Sequence, residues 1–305
     1  MVKILNDWGK HQTAEEMEIG RKYEYDPSFL PFLYKWLNLK PSVTAVDVGC
    51  GSGYFTRILA RDLKGEGKIV GVDPDKTLIL EAEEIAQREG FSNIEFKVGG
   101  IYKIPLPDNY ADLVVCHIVL CNIPRQFDAI LEMKRVARTG GKVVAIEPAR
   151  GGGTYYPDKR LNELYKRFRR AFGTALDKEW RQKLEMSSYI ENIYLKLPQL
   201  FLKAGLTNIT LNGYLSTFLL CDARRNTKEI QRHLKARLDL WQKLKKRNRE
   251  CALIGGMNEE EFKELFQRYV DYLGSLVNNP EKIRQTAEME IVSRVIVCGN
   301  KGTKT

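Results

Sequence analysis

The stretch VDVGCGSGYFT, residues 46–56, places three glycines two positions apart between an apolar run and an amphipathic segment. The apolar run VTAVDVG (43–49) is rich in β-branched residues and has the length of a buried parallel strand. The segment YFTRILARDL that follows carries its apolar residues at helical spacing. Glycine is expected where a backbone approaches a ligand closely or takes a positive φ. The stretch therefore predicts a strand, a tight turn suited to a ligand, and a helix.

Outward from this stretch, strand-like and helix-like segments alternate. Further strands are predicted at 68–73, 94–99, 111–119 and 142–148, and helices at KTLILEAEEIAQREG and FDAILEMKRVARTGG, each ended by glycine. The chain closes with another strand, 288–299. Strands alternating with helices at this spacing predict a doubly wound, mostly parallel α/β sheet with right-handed crossovers.

The alternation is interrupted after residue 150, where the chain becomes mainly helical. Residues 154–195 are predicted as helices with Leu161, Leu164, Phe168 and Phe172 on one face, and 227–249 and 258–276 as further helices. These helices are expected to be insertions between strands of one sheet. The predicted division is an N-terminal helical cover (1–40), a core (41–150), a helical insertion (151–196), a core helix and strand (197–222), a basic helical insertion (223–285) and a final core strand (286–305).

An acidic residue ends the second predicted strand in the segment GVDPD (71–75). Asp73 lies 22 positions after Gly51, which is where a nucleoside ribose sits in doubly wound folds. A carboxylate can accept both hydroxyl protons of a vicinal diol. The G-x-G-x-G spacing differs from the G-x-G-x-x-G of pyrophosphate binding. The alternatives are a dinucleotide-binding domain and a purely structural turn.

At these residues the chain resembles the class I S-adenosylmethionine-dependent methyltransferases. VDVGCGSG resembles their first motif and VDPD their second, and IPLPDNYADLVVCHIVLCNI and LEMKRVARTGGKVVAIEP are similar to the segments around their fourth and fifth strands. The resemblance covers roughly residues 40–150, with the closing strand near 288–299. It implies a seven-stranded Rossmann-like sheet whose helical insertions form a lid, S-adenosyl-L-methionine as cofactor and S-adenosyl-L-homocysteine as product.

The resemblance also implies a cofactor site. In that family the glycine turn passes under the methionine part, the acid matching Asp73 holds the ribose, residues after the third strand flank the adenine, and the end of the fourth strand lies beside the methyl group. The implied cofactor residues are Tyr23, Asp47, Gly49, Cys50, Gly51, Asp73, Pro74, Gly100, Ile101 and His117. Many relatives carry Asp after the third strand, whereas this chain has Gly99-Gly100, so backbone around Ile101 or another side chain is expected to contact the adenine.

Four side chains are candidates for the acceptor side of the reaction. His117 is one of three histidines and is either a base or cofactor contact, or a packed histidine; Glu147 faces the acceptor or caps a turn. Tyr155 and Tyr156 follow a glycine run and line the acceptor pocket, or belong to an ordinary helical core. The chain reads CHIVLCNIP where methyltransferases of exocyclic or amide nitrogens resemble one another in having [N/D]-P-P-[Y/F]. The absence of that motif favours methylation of an oxygen, sulfur, carbon or other atom of a small molecule.

Composition limits the class of protein and of partner. No apolar run approaches the ~18–20 residues of a membrane span, and the N-terminus lacks signal-peptide features, so a cytoplasmic location is expected. The six cysteines form no C-x-x-C pair, which predicts reduced thiols and no metal site. The net charge of +10 is concentrated in 158–183 (nine basic, four acidic) and 228–250 (nine basic, three acidic).

This charge leaves three functions open. The favoured one is a methyltransferase acting on a small, anionic or lipid-associated acceptor. The second is a methyltransferase that binds RNA or protein through the basic helices. The third, a binding protein that lost catalysis, is disfavoured by the intact first two motifs.

Overall fold

The computed structural model describes residues 13–21, 29–63, 67–149, 151–184 and 192–302. The strands are β1 Thr44–Val48, β2 Lys68–Asp73, β3 Ile94–Val98, β4 Ala111–His117, β5 Ala137–Pro148, β6 Gly153–Tyr155, β7 Leu206–Leu219 and β8 Met289–Lys301. The helices are α1 Ala14–Arg21, α2 Phe29–Leu37, α3 Tyr54–Asp62, α4 Lys76–Arg88, α5 Gln126–Val136, α6 Lys159–Leu184, α7 Ile193–Lys203, α8 Thr227–Lys243, α9 Lys245–Ile254, α10 Glu259–Asn278 and α11 Pro280–Arg284. Among these helices, none is both long enough and apolar enough to cross a membrane.

One sheet runs through the molecule, with the strand order β3-β2-β1-β4-β5-β8-β6, and β7 also pairs with β8. The first five strands are mutually parallel, whereas β8 is antiparallel to β5, β6 and β7. The predicted mostly parallel α/β sheet is confirmed, but the prediction of seven strands is wrong because the described residues form eight. The extra strand, β6, pairs with residues 289–291 of β8, beyond the segment 294–300 that pairs with β5.

Both faces of the parallel strands are covered, which is why their sequences are almost continuously apolar. On one face Val46, Val70 and Val114 pack with side chains of α5 and α7. On the other face Ala45 and Leu113 pack with side chains of α2 and α3. The alternation of side chains along each strand divides these two cores.

Local capping explains where α4 begins and ends. The side chain of Asp75 accepts hydrogen bonds from the N–H groups of Thr77 and Leu78 at its N-terminus. Gly90, with φ +80°, follows the last turn, as the sequence predicts.

Helix α5 ends earlier than predicted. Its last residue is Val136, whereas the sequence places the end at the glycines 140–141. The N–H of Tyr110 donates to the carbonyl of Val136, and Ala137 then pairs with Ala111. The sheet therefore captures the chain before the glycines are reached.

The inserted helices α6, α8, α10 and α11 enclose a separate core. Leu161, Leu164 and Phe168 of α6 are buried there, as predicted, and Tyr156, Phe262 and Tyr269 are their neighbours. Two boundary predictions are wrong. Residues 153–155 form strand β6 because they pair with β8, and the helix predicted at 227–249 breaks at Leu244, after which α9 packs Cys251 against Ala175 of α6.

Candidate functional site

The glycine turn, residues 49–53, joins β1 to α3. Its three glycines have φ values of +75°, +54° and +72°. The N–H groups of Gly49 and Cys50 both donate to the carbonyl of Val72, at 2.7 and 3.1 Å, which fixes the turn against β2. A Cβ on Gly49 would lie 2.5 Å from Val119, and one on Gly53 2.7 Å from Phe96. Glycine is therefore required here by both conformation and space.

Asp73 joins this turn to the end of β2. One carboxylate oxygen accepts the N–H of Gly51 at 2.9 Å, and the other accepts the N–H of Asp75 at 2.9 Å. Burial raises the pKa of Asp73, and these two N–H groups oppose the rise. An ionised carboxylate offers about four acceptor positions, so about two remain for a ligand. The turn and Asp73, which the sequence links only by spacing, are thus in direct contact.

Asp47 precedes the turn and is fully buried. Its carboxylate accepts the hydroxyl proton of Thr56 on α3 at 2.7 Å. Burial raises its pKa to about 6, and the nearby charge of Arg21 opposes that rise. Asp47 therefore holds the first strand and helix together directly under the turn.

Gly100, Ile101 and Pro74 lie on the same rim as Asp73. The N–H of Gly99 donates to the carbonyl of Asp73 at 2.9 Å, which brings the end of β3 beside the end of β2. A Cβ on Gly100 would meet no atom within 4 Å, so the space beside Gly100 is open. Ile101 is buried and Pro74 is exposed.

His117 ends β4 and is buried beside Phe55, with 5.2 Å between the ring centroids. Burial lowers its pKa well below the usual value, and the positive charges of Arg294 and Arg21 lower it further. The imidazole is therefore neutral at pH 7.

Glu147 ends β5 and is completely buried. Its carboxylate accepts the N–H groups of Val119, Leu120 and Cys121, at 3.1, 2.8 and 3.2 Å. Burial raises its pKa to about 7. These contacts are those of a cap on the 3₁₀ turn Leu120–Asn122, which is the structural alternative raised by the sequence.

Helix α1 lies over the glycine turn, a placement that no local sequence signal indicates. From a Cβ placed on Gly51, the Met17 Cε lies at 3.6 Å and the Arg21 Nη1 at 3.8 Å. The guanidinium of Arg57 ties the two parts together because it donates to the carbonyl of Ser52 and to Glu18 of α1, at 2.9 and 2.6 Å. Tyr23, one of the cofactor residues implied by the resemblance, lies outside the described residues.

A cavity of about 190 Å³, here called the Tyr156 cavity, lies between β6, β7 and β8 and the inserted helices. It is lined by Ile19, Thr154, Tyr156, Tyr165, Ser216, Phe218, His233, Arg237, Leu240, Tyr269, Glu290 and Val292. Of the two tyrosines singled out from the sequence, Tyr156 is 1% exposed and lines this cavity. Tyr155 points away and is 46% exposed.

Strand β8 lines the Tyr156 cavity and also carries a residue whose charge acts on His117. Val292 lines the cavity, and Arg294, whose charge acts on His117, lies two residues further on the same face of the strand. Two residues span about 7 Å of an extended strand. Ile19, on α1, lines the cavity from the helix that also covers the glycine turn. The cavity is therefore lined both by α1, which covers the glycine turn, and by the strand that carries Arg294.

Comparison with known proteins gives a consistent family. Residues 39–203, more than half of the chain, match the model of a family described as a methyltransferase domain. The chain is 35% identical over 182 residues to a demethylmenaquinone methyltransferase of Bacillus licheniformis, covering 58% of this chain and 76% of that protein. It is 34% identical over 132 residues to an uncharacterized methyltransferase of Schizosaccharomyces pombe, covering 41% of this chain and 47% of that protein. The chain thus spans about half the length of the latter relative.

A solved structure agrees at the level of the fold. Phosphoethanolamine N-methyltransferase 2 of Haemonchus contortus, in complex with S-adenosyl-L-methionine, superposes with a TM-score of 0.52 at 14% identity. The superposition covers 99% of this chain and 61% of that one. At this identity the likeness concerns the arrangement of strands and helices alone.

Proposed function

The chain belongs to the class I methyltransferases, the Rossmann-like family that uses S-adenosylmethionine, and on this premise we propose that it methylates a small acceptor molecule in the Tyr156 cavity. The observation that carries the proposal is the contact between Asp73 and the N–H of Gly51, which joins a ribose-type carboxylate to the glycine turn. We further propose that the inserted helices and α1 form the acceptor side of the molecule.

The described residues fit the cofactor in shape and charge. The free acceptor positions of Asp73 suit the two ribose hydroxyls, and the open space beside Gly100 suits a flat base next to Ile101. Arg21, which lies against Gly51, and Asp47, which precedes the turn, carry opposite charges, and this matches a zwitterionic amino-acid group. When bound, S-adenosylmethionine supplies an electrophilic methyl group.

The protein's own contribution is mainly orientation. Holding an acceptor atom in line with the methyl group supplies several kcal/mol, up to ~7–11, of the barrier in well-oriented systems. His117 ends β4 and is neutral, which is the form that accepts a proton. We propose that it contacts the reacting region and takes a proton where the acceptor begins protonated, while Glu147 positions the 3₁₀ turn beside it.

Several observations favour a small molecule over a macromolecule. The Tyr156 cavity is smaller than the ~300–1,000 Å³ of typical ligand pockets, so it suits a small group or one end of a molecule. The Bacillus relative is named for a small-molecule acceptor. Many basic side chains of the inserted helices are already paired with acids, in Arg160–Glu264, Arg167–Glu261, Lys235–Asp239, Lys243–Glu16 and Arg249–Glu259. This pairing reduces the charge available to a nucleic acid.

Labelled methyl transfer tests the proposal. The purified chain is incubated with methyl-labelled S-adenosylmethionine and an extract of the cells that make it, and the extract is separated into small-molecule, lipid, RNA and protein fractions. We expect label in the small-molecule or lipid fraction, with none in a reaction that lacks the chain. Label confined to RNA or protein would contradict the proposed acceptor class.

A further inference from the structure

The end of the Tyr156 cavity that faces α8 is built around a buried charge. Arg237 donates from Nη1 to Glu288 at 2.7 Å, and from Nη2 to the hydroxyl oxygens of Tyr269 and Tyr156 at 2.7 and 3.4 Å. The side chain of Arg237 is 16% exposed and that of Glu288 is 1% exposed. Charged groups at such depth are retained at a cost in desolvation, so Arg237, which also lines the cavity, is a candidate for binding.

Hydrogen-bond donors dominate this end of the cavity. The three contacts of Arg237 use three of the five N–H groups of its guanidinium. Tyr156 and Tyr269 each accept from Arg237 and keep a proton of their own, and at most one of these protons is used between the two hydroxyls. Burial raises the pKa of Tyr269 to about 12 and that of Tyr156 well above its usual value. Both phenols therefore remain donors near neutral pH.

The acceptors at the same end are already engaged. One oxygen of Glu288 accepts from Arg237, and the other accepts the hydroxyl proton of Tyr272 at 2.9 Å. A ligand ammonium group would thus meet donors and a guanidinium at this end, since both oxygens of Glu288 are engaged. The carboxylate that lines the cavity, Glu290, is exposed and lies on the part of β8 beyond β5.

We propose that Arg237, with the hydroxyls of Tyr156 and Tyr269, binds an oxyanion of the methyl acceptor, so that the substrate class is a small ring or chain bearing a carboxylate or phenolate oxygen. The inference rests on the proposed function, which makes the Tyr156 cavity the acceptor site. The rings of Tyr156, Tyr165, Phe218 and Tyr269 provide the apolar walls for the rest of such a molecule. Arg237 is a specificity residue in this account, since it selects the acceptor at a point away from the methyl group.

Single-ring probes that carry different polar groups test this assignment. Benzoate, 4-nitrophenolate, benzamide and benzylamine are titrated separately against the full chain, and dissociation constants are taken from ligand-observed NMR. We expect the two anions to bind more tightly than benzamide, and benzamide more tightly than benzylamine. Preference for benzoate or for the phenolate distinguishes a carboxylate anchor from a phenolate acceptor. Tighter binding of benzylamine would overturn the proposal.

Variants assign the effect to Arg237. We expect Arg237→Gln to weaken benzoate binding by about tenfold or more, equivalent to ~1.4 kcal/mol, while benzamide binding changes less. Arg232→Gln, an exposed position on the same helix, is the matched control and should leave both constants unchanged. Because Arg237→Gln leaves Glu288 buried without its partner, the pair Arg237→Met with Glu288→Met, and Tyr269→Phe alone, repeat the measurement in chains that keep charge balance. An unchanged ratio of benzoate to benzamide affinity in all three would overturn the proposal.

Failure of this inference is distinguishable from failure of the proposed function. Binding of S-adenosyl-L-homocysteine and labelled transfer report on the methyltransferase reaction and do not depend on the oxyanion. Methyl transfer accompanied by amine-selective probe binding would contradict the oxyanion site alone. Loss of cofactor binding with intact, Arg237-dependent benzoate binding would contradict the reaction and support the oxyanion site.

Discussion

Asp73 and Glu147 are two buried carboxylates at the same edge of the sheet, and they have different roles. Both follow or end a parallel strand and both are buried, and in each case burial raises the pKa. Asp73 accepts two backbone N–H groups and retains acceptor positions toward open space. Glu147 accepts three and is fully enclosed. The first arrangement suits a ligand, and the second fixes a turn.

The burial of Glu147 predicts how the free energy of unfolding depends on pH. The pKa of Glu147 is about 7 in the folded chain, whereas its ordinary value is 4.5. Between pH 4.5 and pH 7 the folded chain therefore binds this proton more tightly than the unfolded chain does. The resulting stabilisation is fully present below pH ~4.5 and is lost as the pH rises through ~7. Glu147→Gln should therefore reduce the fall in unfolding free energy between pH 5 and 7.5, measured by urea denaturation. Glu163→Gln, on an exposed face of α6, is the control, and equal slopes in the two variants would contradict the account.

At the scale of elements, the structure predicts how a side chain in the glycine turn changes stability, and Gly90 provides a control outside the turn. Gly53 and Gly90 both have positive φ, and an L-residue in that conformation costs ~1–2 kcal/mol. A Cβ at Gly53 would lie 2.7 Å from the Phe96 ring, whereas one at Gly90 would meet no atom within 4 Å. Gly53→Ala should therefore destabilise the chain by about 1–3 kcal/mol more than Gly90→Ala.

Two measurements on the two glycine variants check this prediction. Denaturation curves give the stability, and a parallel titration gives the affinity for S-adenosyl-L-homocysteine. We expect Gly53→Ala to weaken binding of S-adenosyl-L-homocysteine and Gly90→Ala to leave it unchanged. Equal losses of stability in the two variants would show that the turn tolerates a side chain, contrary to the structure.

Elements with local signals are predictable from the sequence, and those that depend on pairing are not. The β1–turn–α3 unit, α4 with its caps at Asp75 and Gly90, and the apolar face of α6 follow from periodicity and glycine placement. The early end of α5 depends on Tyr110, which is 26 residues away from Val136, and β6 depends on β8. Such long-range pairing leaves no mark in the local pattern.

The candidate site divides in the same way. The contact of Gly51 with Asp73 can be predicted from their spacing in the sequence, since they lie at the ends of two neighbouring parallel strands. The position of Arg21 over the turn depends on Arg57 reaching Glu18, and the Arg237–Glu288 pair joins segments 51 residues apart. A single sequence offers no pattern for either contact.

For the whole molecule, the charge distribution carries less functional meaning than the sequence indicates. Basic residues of the inserted helices pair with acids of α10 and α1, as in Arg160–Glu264 and Lys243–Glu16. Exposed pairs of this kind contribute little stability, ~0–1 kcal/mol each, but they offset the field of a basic surface. The buried Arg237, which belongs to the basic segment 228–250, lines the Tyr156 cavity.

We propose that the glycine turn and Asp73 together bind an adenosyl amino acid. Calorimetric titration of S-adenosyl-L-homocysteine and of NAD into the wild-type chain, Asp73→Asn and the exposed control Asp108→Asn tests it most directly. We predict that S-adenosyl-L-homocysteine binds the wild type and the control with equal affinity, and that NAD gives no heat of binding. Asp73→Asn should weaken the binding of S-adenosyl-L-homocysteine by about tenfold or more, because charge-assisted hydrogen bonds are lost. Binding of NAD alone, or unchanged affinity in Asp73→Asn, would contradict the claim.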